Sequence, residues 1–392
     1  MILTNEQEQA LKIILNKYKN HEKYVTICGY AGVGKSTLAK FAIEALDVSP
    51  EKVAYATYTG KAAEVLRKKG NPNAMTLHKL LYDSIPRQGG GFIRIPKKTL
   101  DYDIVLIDEI SMAPKSMLEM LLKHKVFCIF MGDNFQLPQI DKNEAHDFLQ
   151  HPDIFLSTVM RQAAESEIIQ LTMKIRNGED IPFMHGKEVI VAPKAELVTG
   201  HLTWADIIIC ATNKTRHNMN RQKRELLGYS GVLQTGERII VKRNYWEDCD
   251  EDGNALVNGT VGTVANPYES FVRIPSYVKN DRRDLPLIGC IFTPDGGKSF
   301  DTFEIDKDYL LKEEPCVDWR VSYQLGKLKP KIGDILPKQA TYGYALTCHA
   351  AQGSEFDKVL VIEESFPFDK TEHQRWLYTA ATRAAEKLVL VR

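Results

Sequence analysis

This 392-residue chain carries no net charge, because 51 Lys and Arg balance 51 Asp and Glu. A balanced total gives no argument for a polyanionic partner, so any basic surface has to be local. The seven cysteines, at 28, 128, 210, 249, 290, 316 and 348, show no CxxC spacing. Neither a zinc site nor a disulfide framework is indicated, and an odd set of separated thiols suits a reducing compartment. There is no run of about 18 apolar residues, which argues against a membrane span. The opening MILTNEQEQALKIILNKY reads as an amphipathic helix and lacks the apolar centre of a signal peptide. Internal repeats and low-complexity tracts are also missing. What is left, 44% hydrophobic and 26% charged, is an ordinary globular composition of a length suited to two or three domains.

The first part of the chain alternates strand and helix patterns. KYVTICGY, KVAYAT, DIVLIDE and KVFCIFMGD read as buried strands; STLAKFAIEAL, GKAAEVLRKK and PKSMLEMLLKH read as helices, with Pro114 suited to a first helical turn. Such alternation predicts an α/β fold with a parallel sheet. Residues 84–100, SIPRQGGGFIRIPKKTL, interrupt the rhythm with three glycines, two prolines and four basic residues, and read as a projecting hairpin. A second α/β unit starts near 161, with ADIIICAT as strand and NKTRHNMNRQKRELLG as helix. From about 232 to 340, short β-like runs (ERIIVKR, GTVGTV, PLIGCIFT, WRVSYQL) between polar turns predict an inserted small β domain. The α/β pattern then resumes with YGYALTCHAAQG, KVLVIEE, a helix over 371–385 and KLVLVR. The expected domains are therefore 1–160, and a discontinuous 161–392 built from about 161–231 and 341–392.

Gly29-Tyr30-Ala31-Gly32-Val33-Gly34-Lys35-Ser36 matches GxxxxGK[ST] between a strand and a helix. The glycines let backbone amides close around phosphates, Lys35 neutralises the β- and γ-phosphates, and the Ser36 hydroxyl ligates Mg2+. Gly29, Gly32, Val33, Gly34, Lys35, Ser36 and Thr37 are the expected ATP contacts. Asp108 and Glu109 end the strand DIVLIDE. Two acids at a strand end are more often simply solvated. After a P-loop in the same α/β domain they suit a Mg2+ ligand (Asp108) and a base that orients the attacking water (Glu109).

The ordered set TNEQ (4–7), GYAGVGKST (29–37), ATYTGKAA (56–63), TLH (76–78), DEIS (108–111), GDNFQLPQI (132–140), TVMRQ (158–162), LTCHAAQGSEFDKV (346–359) and YTAATRA (378–384) resembles the superfamily 1 helicases, in particular the RecD-like and Dda-type phage DNA helicases. The resemblance spans nearly the whole chain and is weakest in the β insertion. It implies two RecA-like P-loop NTPase domains, with a hairpin inserted in the first and a small β-barrel-like domain in the second. It also implies ATP and Mg2+ as cofactors and 5′ to 3′ movement on single-stranded DNA. By that resemblance Gln7 reads adenine, Asp133 and Gln136 form a sensor segment with Gln136 on the γ-phosphate, and Arg161 and Arg383 reach across the cleft. Gln352 and Gly353 are second-lobe phosphate contacts, and Glu355 binds ribose. Phosphoryl-transfer arginines of this kind are worth on the order of 10³–10⁵ in rate.

The same resemblance places Thr57, Thr59, Lys61, Thr76, His78, Thr347 and His349 along the nucleic-acid backbone, where hydroxyls, amides and Lys suit sequence-independent binding. Phe92, flanked by Arg87, Arg94, Lys97 and Lys98, is expected on a pin that splits the duplex. The basic run Lys214, Arg216, Arg221, Lys223 and Arg224 reads first as a solvated helix face. Asp248 to Gly253 begins like a calcium loop, but position twelve is Gly259 rather than Glu, so an acidic turn is the better reading. The expected partners are single-stranded DNA and duplex junctions, with single-strand-binding or replication proteins as candidate companions. A monomer is expected, with no membrane, in the cytoplasm of a bacterium or phage-infected host. An RNA helicase of the same superfamily and a non-unwinding, ATP-gated nucleic-acid-binding module are the alternatives.

Overall fold

The computed structural model describes all residues but 1–2, 69, 72, 87–91, 139–140, 160–164, 250–254, 275–283, 315–336 and 366–368. By its contacts the chain divides into two units. One holds Met1–Tyr82, Pro96–Thr212 and Thr347–Arg392; the other holds Asp83–Ile95 and Asn213–Leu346.

The first unit opens with β1 (Tyr24–Gly29), β2 (Val53–Thr57) and β3 (Met75–Thr76). The chain then forms a two-stranded ribbon, β4 (Tyr82–Pro86) with β5 (Phe92–Pro96), whose Asp83–Ile95 belongs to the other unit, and continues in the first unit with β6 (Ile104–Ile107), β7 (Phe127–Gly132) and β8 (Ile154–Leu156). Six of these strands form a parallel sheet in the order β3-β2-β6-β7-β1-β8. The strands read as continuous apolar runs because both faces are covered. Val25, Ile27, Ile104, Leu106, Ile129 and Met131 face one core with Ile14, Leu38 and Ala42 of the helices Asn5–Lys19 and Lys35–Leu46. The alternate residues Cys28, Val105, Ile107, Cys128 and Phe130 face the other, with Leu77, Leu80, Leu118 and Leu121. Successive side chains of a strand point to opposite faces, so one run of sequence builds both cores.

A second sheet in the same unit takes β9 (Met184–His185), β10 (Val189–Ala192) and β11 (Ile207–Cys210) before the chain enters the other unit. That unit contributes β12 (Arg238–Val241), β13 (Tyr245–Cys249), β14 (Ala255–Leu256), β15 (Val261–Arg273), β16 (Asp284–Pro294), β17 (Phe300–Asp306) and β18 (Ala340–Tyr342). The chain returns through β19 (Ala345–Thr347) to β20 (Phe356–Ile362) and β21 (Ala384–Val391). The second sheet runs β19-β11-β20-β21-β10-β9, with β11, β20, β21 and β10 parallel and the edge strand β9 antiparallel.

In the other unit, β17-β16-β15-β12-β18 form an antiparallel sheet around Ile239, Val264, Ile288, Phe292, Phe303 and Ile305. The β-like runs GTVGTV and PLIGCIFT are parts of the long strands β15 and β16. Tyr268 pairs with Gly289 across them, and its ring covers the glycine so closely that an added Cβ would lie 2.2 Å from it.

Some local expectations shift. Pro114 is the N-cap of the helix Lys115–Leu121, one residue before its first turn. The helix expected over 371–385 spans Lys370–Ala381, and β21 has begun by Ala384. The run WRVSYQL lies outside the described residues. The basic helix is not a solvated face. Arg216 and Lys223 are buried, Arg216 pairs with Glu313 at 2.5 Å and Arg224 with Glu237 at 2.5 Å. Only Lys214 and Arg221 of the five are exposed. Burial costs a charge its hydration, so each internal Arg has been matched to a carboxylate. The sequence pattern shows the basic residues of this helix but not the distant acids they meet.

Candidate nucleotide site and nucleic-acid track

The C-terminal ends of β6, β7 and β1 lie side by side, and in open parallel sheets this edge is where ligands bind. The loop after β1 turns through Gly32 (φ 76°) and Gly34 (φ 80°), left-handed conformations that favour glycine. Gly34 caps the helix Lys35–Leu46, whose first amides and dipole favour an anion. A Cβ at Gly29 would meet the Leu156 carbonyl and the Val33 side chain, both at 2.8 Å. The Lys35 ammonium donates to the carbonyls of Gly29 (2.9 Å) and Tyr30 (2.8 Å), so it already lies inside the loop. Ser36 is exposed at the helix start and Thr37 is half-buried. Gln7 is buried beneath: its Oε1 accepts from the Thr4 amide, completing a capping box, and its Nε2 donates to the Val33 carbonyl at 3.4 Å.

Asp108 follows β6 and accepts the Glu109 amide at 3.0 Å. Glu109 has a left-handed backbone (φ 52°), which strains a non-glycine residue and turns its carboxylate sharply. Its Oε1 lies 3.5 Å from Nη1 of Arg383, and its buried Oε2 has no hydrogen-bond partner among the described residues. Next to it, His146 Nε2 bonds the Ile110 carbonyl at 2.8 Å. A carbonyl can only accept, so the proton sits on Nε2. Nδ1 is buried without a partner among the described residues, and desolvation holds the imidazole pKa below its ordinary value.

Asp133 follows β7, is buried, and begins a turn: its Oδ1 accepts the Phe135 amide and its carbonyl the Gln136 amide. Gln136 Oε1 is buried and unpaired among the described residues. Elements of the second sheet close on this turn. Gln352 Nε2 donates to the Leu137 carbonyl at 2.8 Å, and the Leu137 amide donates to Thr379 Oγ1 at 2.9 Å. The Tyr378 hydroxyl donates to Asp133 Oδ2 at 2.5 Å and accepts the Ala31 amide of the P-loop at 3.3 Å. Gly353 (φ 72°) comes so near that a Cβ there would lie 3.1 Å from Thr59 Oγ1 and 3.3 Å from Glu109 Oε2. Arg383 is buried and held by the carbonyls of Thr379 and Ser354. Glu355 is exposed, and Arg161 lies outside the described residues.

Lys35, Asp108, Glu109 and Gln136 therefore sit on one sheet, and Gln352, Gly353 and Arg383 reach them from the other. Arg176, Tyr378, Thr379 and His146 were not singled out from sequence. Tyr378 and Thr379 lie inside YTAATRA, one helical turn before Arg383, so the spacing could have found them. Arg176 and His146 stand in no motif.

Of the residues expected along the track, Thr57, Thr76 and Thr347 end the strands β2, β3 and β19. Thr57 and Thr76 are register partners on β2 and β3, and both are buried. Thr57 donates to the Thr59 carbonyl, Thr59 accepts the Ala62 amide, and Thr76 caps the helix Leu77–Leu81. These hydroxyls shape the local backbone. His78 lies between the Tyr58 and Tyr82 rings at centroid distances of 6.0 and 6.2 Å. Lys61 is half-buried. Thr347 precedes the helix Cys348–Ala351, and desolvation lowers the pKa of His349. Phe92 begins β5, but its side chain, the Arg94 side chain and the whole of Arg87 lie outside the described residues. So does most of the calcium-like stretch; its Asp248 lies 3.3 Å from Lys338. Among the described residues no helix is long and apolar enough to cross a membrane.

Comparison with known proteins joins these features. Residues 2–189 match an AAA domain family and residues 342–391 a UvrD-like helicase C-terminal domain family. The chain is 30% identical to the ATP-dependent DNA helicase Dda of Enterobacteria phage T4, over 45% of this chain and 43% of Dda. It is 32% identical to the ATP-dependent RecD2 DNA helicase of Deinococcus radiodurans, over 97% of this chain and 48% of RecD2. It is 31% identical to the uncharacterized protein R530 of Acanthamoeba polyphaga mimivirus over 99% of both. The matches thus cover less than half the length of Dda and of RecD2. A solved structure of Pif1 helicase from Bacteroides in complex with ADP-AlF3 and ssDNA superposes with a TM-score of 0.53 at 19% identity, over 100% of this chain and 92% of that one. The α/β architecture with two RecA-like sheets is shared. By sequence, the chain carries an AAA domain and a UvrD-like helicase C-terminal domain and is a homologue of Dda and RecD2, both named as ATP-dependent DNA helicases.

Proposed function

We propose that the chain is an ATP-dependent DNA helicase that couples ATP hydrolysis to 5′ to 3′ translocation on single-stranded DNA and to duplex unwinding. One observation carries this reading: Arg383 of the second sheet lies 3.5 Å from Glu109 at the edge of the first. A catalytic acid and a charge-stabilising arginine from different sheets make hydrolysis depend on how the two sheets meet. A kinase or a simple switch needs no such division. The relatives named as ATP-dependent DNA helicases support the substrate and the nucleotide.

In this reading Lys35 exchanges its two loop carbonyls for phosphate oxygens, and the loop amides complete the cradle. Glu109 orients the attacking water and takes its proton, while Arg383 and Gln136 face the transferring phosphoryl group. Arg161 is proposed as the second arginine, and Gln7 and Glu355 as base and ribose contacts. Ser36 and Asp108 would hold Mg2+, which supplies charge neutralisation when bound. One hydroxyl and one carboxylate fit an ion that keeps several waters and is otherwise held by phosphates.

Thr57, Thr59, Lys61, Thr76, His78, Thr347 and His349 are proposed to line the DNA track, with Phe92 as the pin. The domains proposed are 1–160 and a discontinuous 161–392 carrying the β insertion, acting as a monomer in the cytoplasm. Strand displacement on 5′- and 3′-tailed duplexes with ATP tests motor, substrate and polarity together. Unwinding only from the 5′ tail is expected. Unwinding only from the 3′ tail would overturn the polarity, and ATPase stimulation by RNA but not DNA would favour an RNA helicase.

A further inference from the structure

The turn carrying Gln136 is anchored by two residues that the proposed chemistry does not use. Both oxygens of the buried Asp133 carboxylate are engaged from the second half of the first unit. Arg176, near the end of the helix Glu167–Asn177, donates from Nη1 to Asp133 Oδ1 at 2.9 Å and from Nη2 to Asn134 Oδ1 at 3.0 Å. Its guanidinium also lies 4.0 Å from the centroid of the Tyr30 ring, in the P-loop, and 4.8 Å from that of Phe135. Tyr378 donates to Asp133 Oδ2, and its oxygen accepts the Ala31 amide, also in the P-loop. The Tyr378 ring meets Phe135 edge-on at 5.4 Å. Burial and the neighbouring Asp133 push the phenol pKa well above its ordinary range, so the hydroxyl stays protonated and remains a donor.

We propose that Tyr378 and Arg176 are positioning residues for ATP turnover, which fix the Asp133 turn, and with it Gln136, against the P-loop. Each touches both sides at once. Tyr378 joins them through a single phenol oxygen; Arg176 joins them through its fork on Asp133 and Asn134 and its face on Tyr30. Lysine can supply the charge at 176 but not the planar fork or the stacking. The two contacts share the Asp133 carboxylate, so their effects should couple rather than add. The inference deepens the proposed function and rests on the assignment of the Gly29–Ser36 loop and Gln136 to ATP.

The test is steady-state ATPase kinetics of the full chain as wild type, Tyr378→Phe, Arg176→Lys and Arg176→Met, with a melting curve for each. Tyr378→Phe keeps the ring and its packing and deletes one donor to a buried carboxylate. From the usual strength of hydrogen bonds to charged groups, kcat should fall roughly 10- to 100-fold, with KM for ATP held within about 3-fold. Arg176→Lys should lose less than Arg176→Met. A Tyr378→Phe kcat within about 2-fold of wild type would overturn the proposal. So would a melting temperature that drops while the folded fraction turns over ATP at the wild-type rate, since that marks a purely structural role. Wild-type turnover that single-stranded DNA fails to stimulate would sink the helicase reading instead, and leave the kcat comparison to decide the role of Tyr378.

Discussion

Gly353→Ala is the smallest change that reaches both the fold and the chemistry. The residue has φ 72°, and an alanine held there costs about 1–2 kcal/mol from its Cβ alone. The added methyl then meets Thr59 Oγ1 at 3.1 Å, Ala62 Cβ at 3.3 Å and Glu109 Oε2 at 3.3 Å. None of the three yields freely. Thr59 Oγ1 accepts the Ala62 amide, Ala62 is helix, and Glu109 is held on its other oxygen side by Arg383. The methyl must therefore move the Glu109 carboxylate or part the two sheets by a few tenths of an ångström. Misplacement of a catalytic group by about 1 Å costs about 100-fold, so a smaller shift should lower kcat for ATP by roughly 10-fold. The backbone strain alone should lower the melting temperature by roughly 2–4 °C. Steady-state ATPase assays and thermal unfolding measure the two effects separately. A variant with wild-type kcat and wild-type melting temperature would refute the close approach of Gly353 to Glu109. A lowered melting temperature with unchanged kcat would keep the strain and refute its link to catalysis.

Glu109→Gln keeps the shape and removes the base: ATP binding should survive while hydrolysis drops by roughly 10²–10⁴, read by nucleotide titration beside single-turnover kinetics. Near-normal turnover would unseat Glu109. The His146 imidazole has a folded pKa below its ordinary value, so its contribution to stability is complete above about pH 6.5 and is lost as pH falls through the folded pKa. Protonation would place an N–H on Nδ1, which is buried with no partner among the described residues, although Asp147 partly offsets that charge. Melting curves between pH 8 and 5 should steepen less for His146→Gln than for wild type, and parallel curves would contradict the assignment. Phe92→Ala should reduce strand displacement several-fold more than ATPase activity; equal losses would remove the pin.

The first sheet was legible because its strands are buried on both faces and read as unbroken apolar runs, bounded by helices with clear amphipathic patterns. Other elements were not. β8 is three residues at a sheet edge, and β10 is four, VIVA, too short to separate from a helix fragment by periodicity. The long antiparallel strands β15 and β16 read as short runs because Asn266 and Pro267, near a register shift, look like a turn in sequence. The same division holds at the site. Lys35, Asp108 and Glu109 follow from local motif chemistry. Arg176 does not, since its meaning depends on Tyr30 and Asp133, more than forty residues away in the chain. The basic helix failed for the same reason: Glu313 and Glu237 neutralise it from other elements.

The turn at Asp133 also suggests why a site split between two sheets can act as a switch. Second-sheet side chains hold the Leu137 peptide on both sides, Gln352 on its carbonyl and Thr379 on its amide, while Tyr378 holds Asp133. All three bonds are buried. A bond stretched without solvent access leaves a buried polar group unsatisfied, at about 1–3 kcal/mol each, whereas a bond fully exchanged for water loses only about 1 kcal/mol. Small partings of the sheets are thus disfavoured more than complete ones. The arrangement favours two discrete positions, closed and dry or open and hydrated, over a continuum between them. A nucleotide that bridges Lys35 and Arg383 would bias such an equilibrium through its differential contacts with the two positions. In the proposed reading the Gly29–Ser36 loop supplies affinity for phosphate, and the three bonds on the Asp133–Leu137 turn are the element that binding would move.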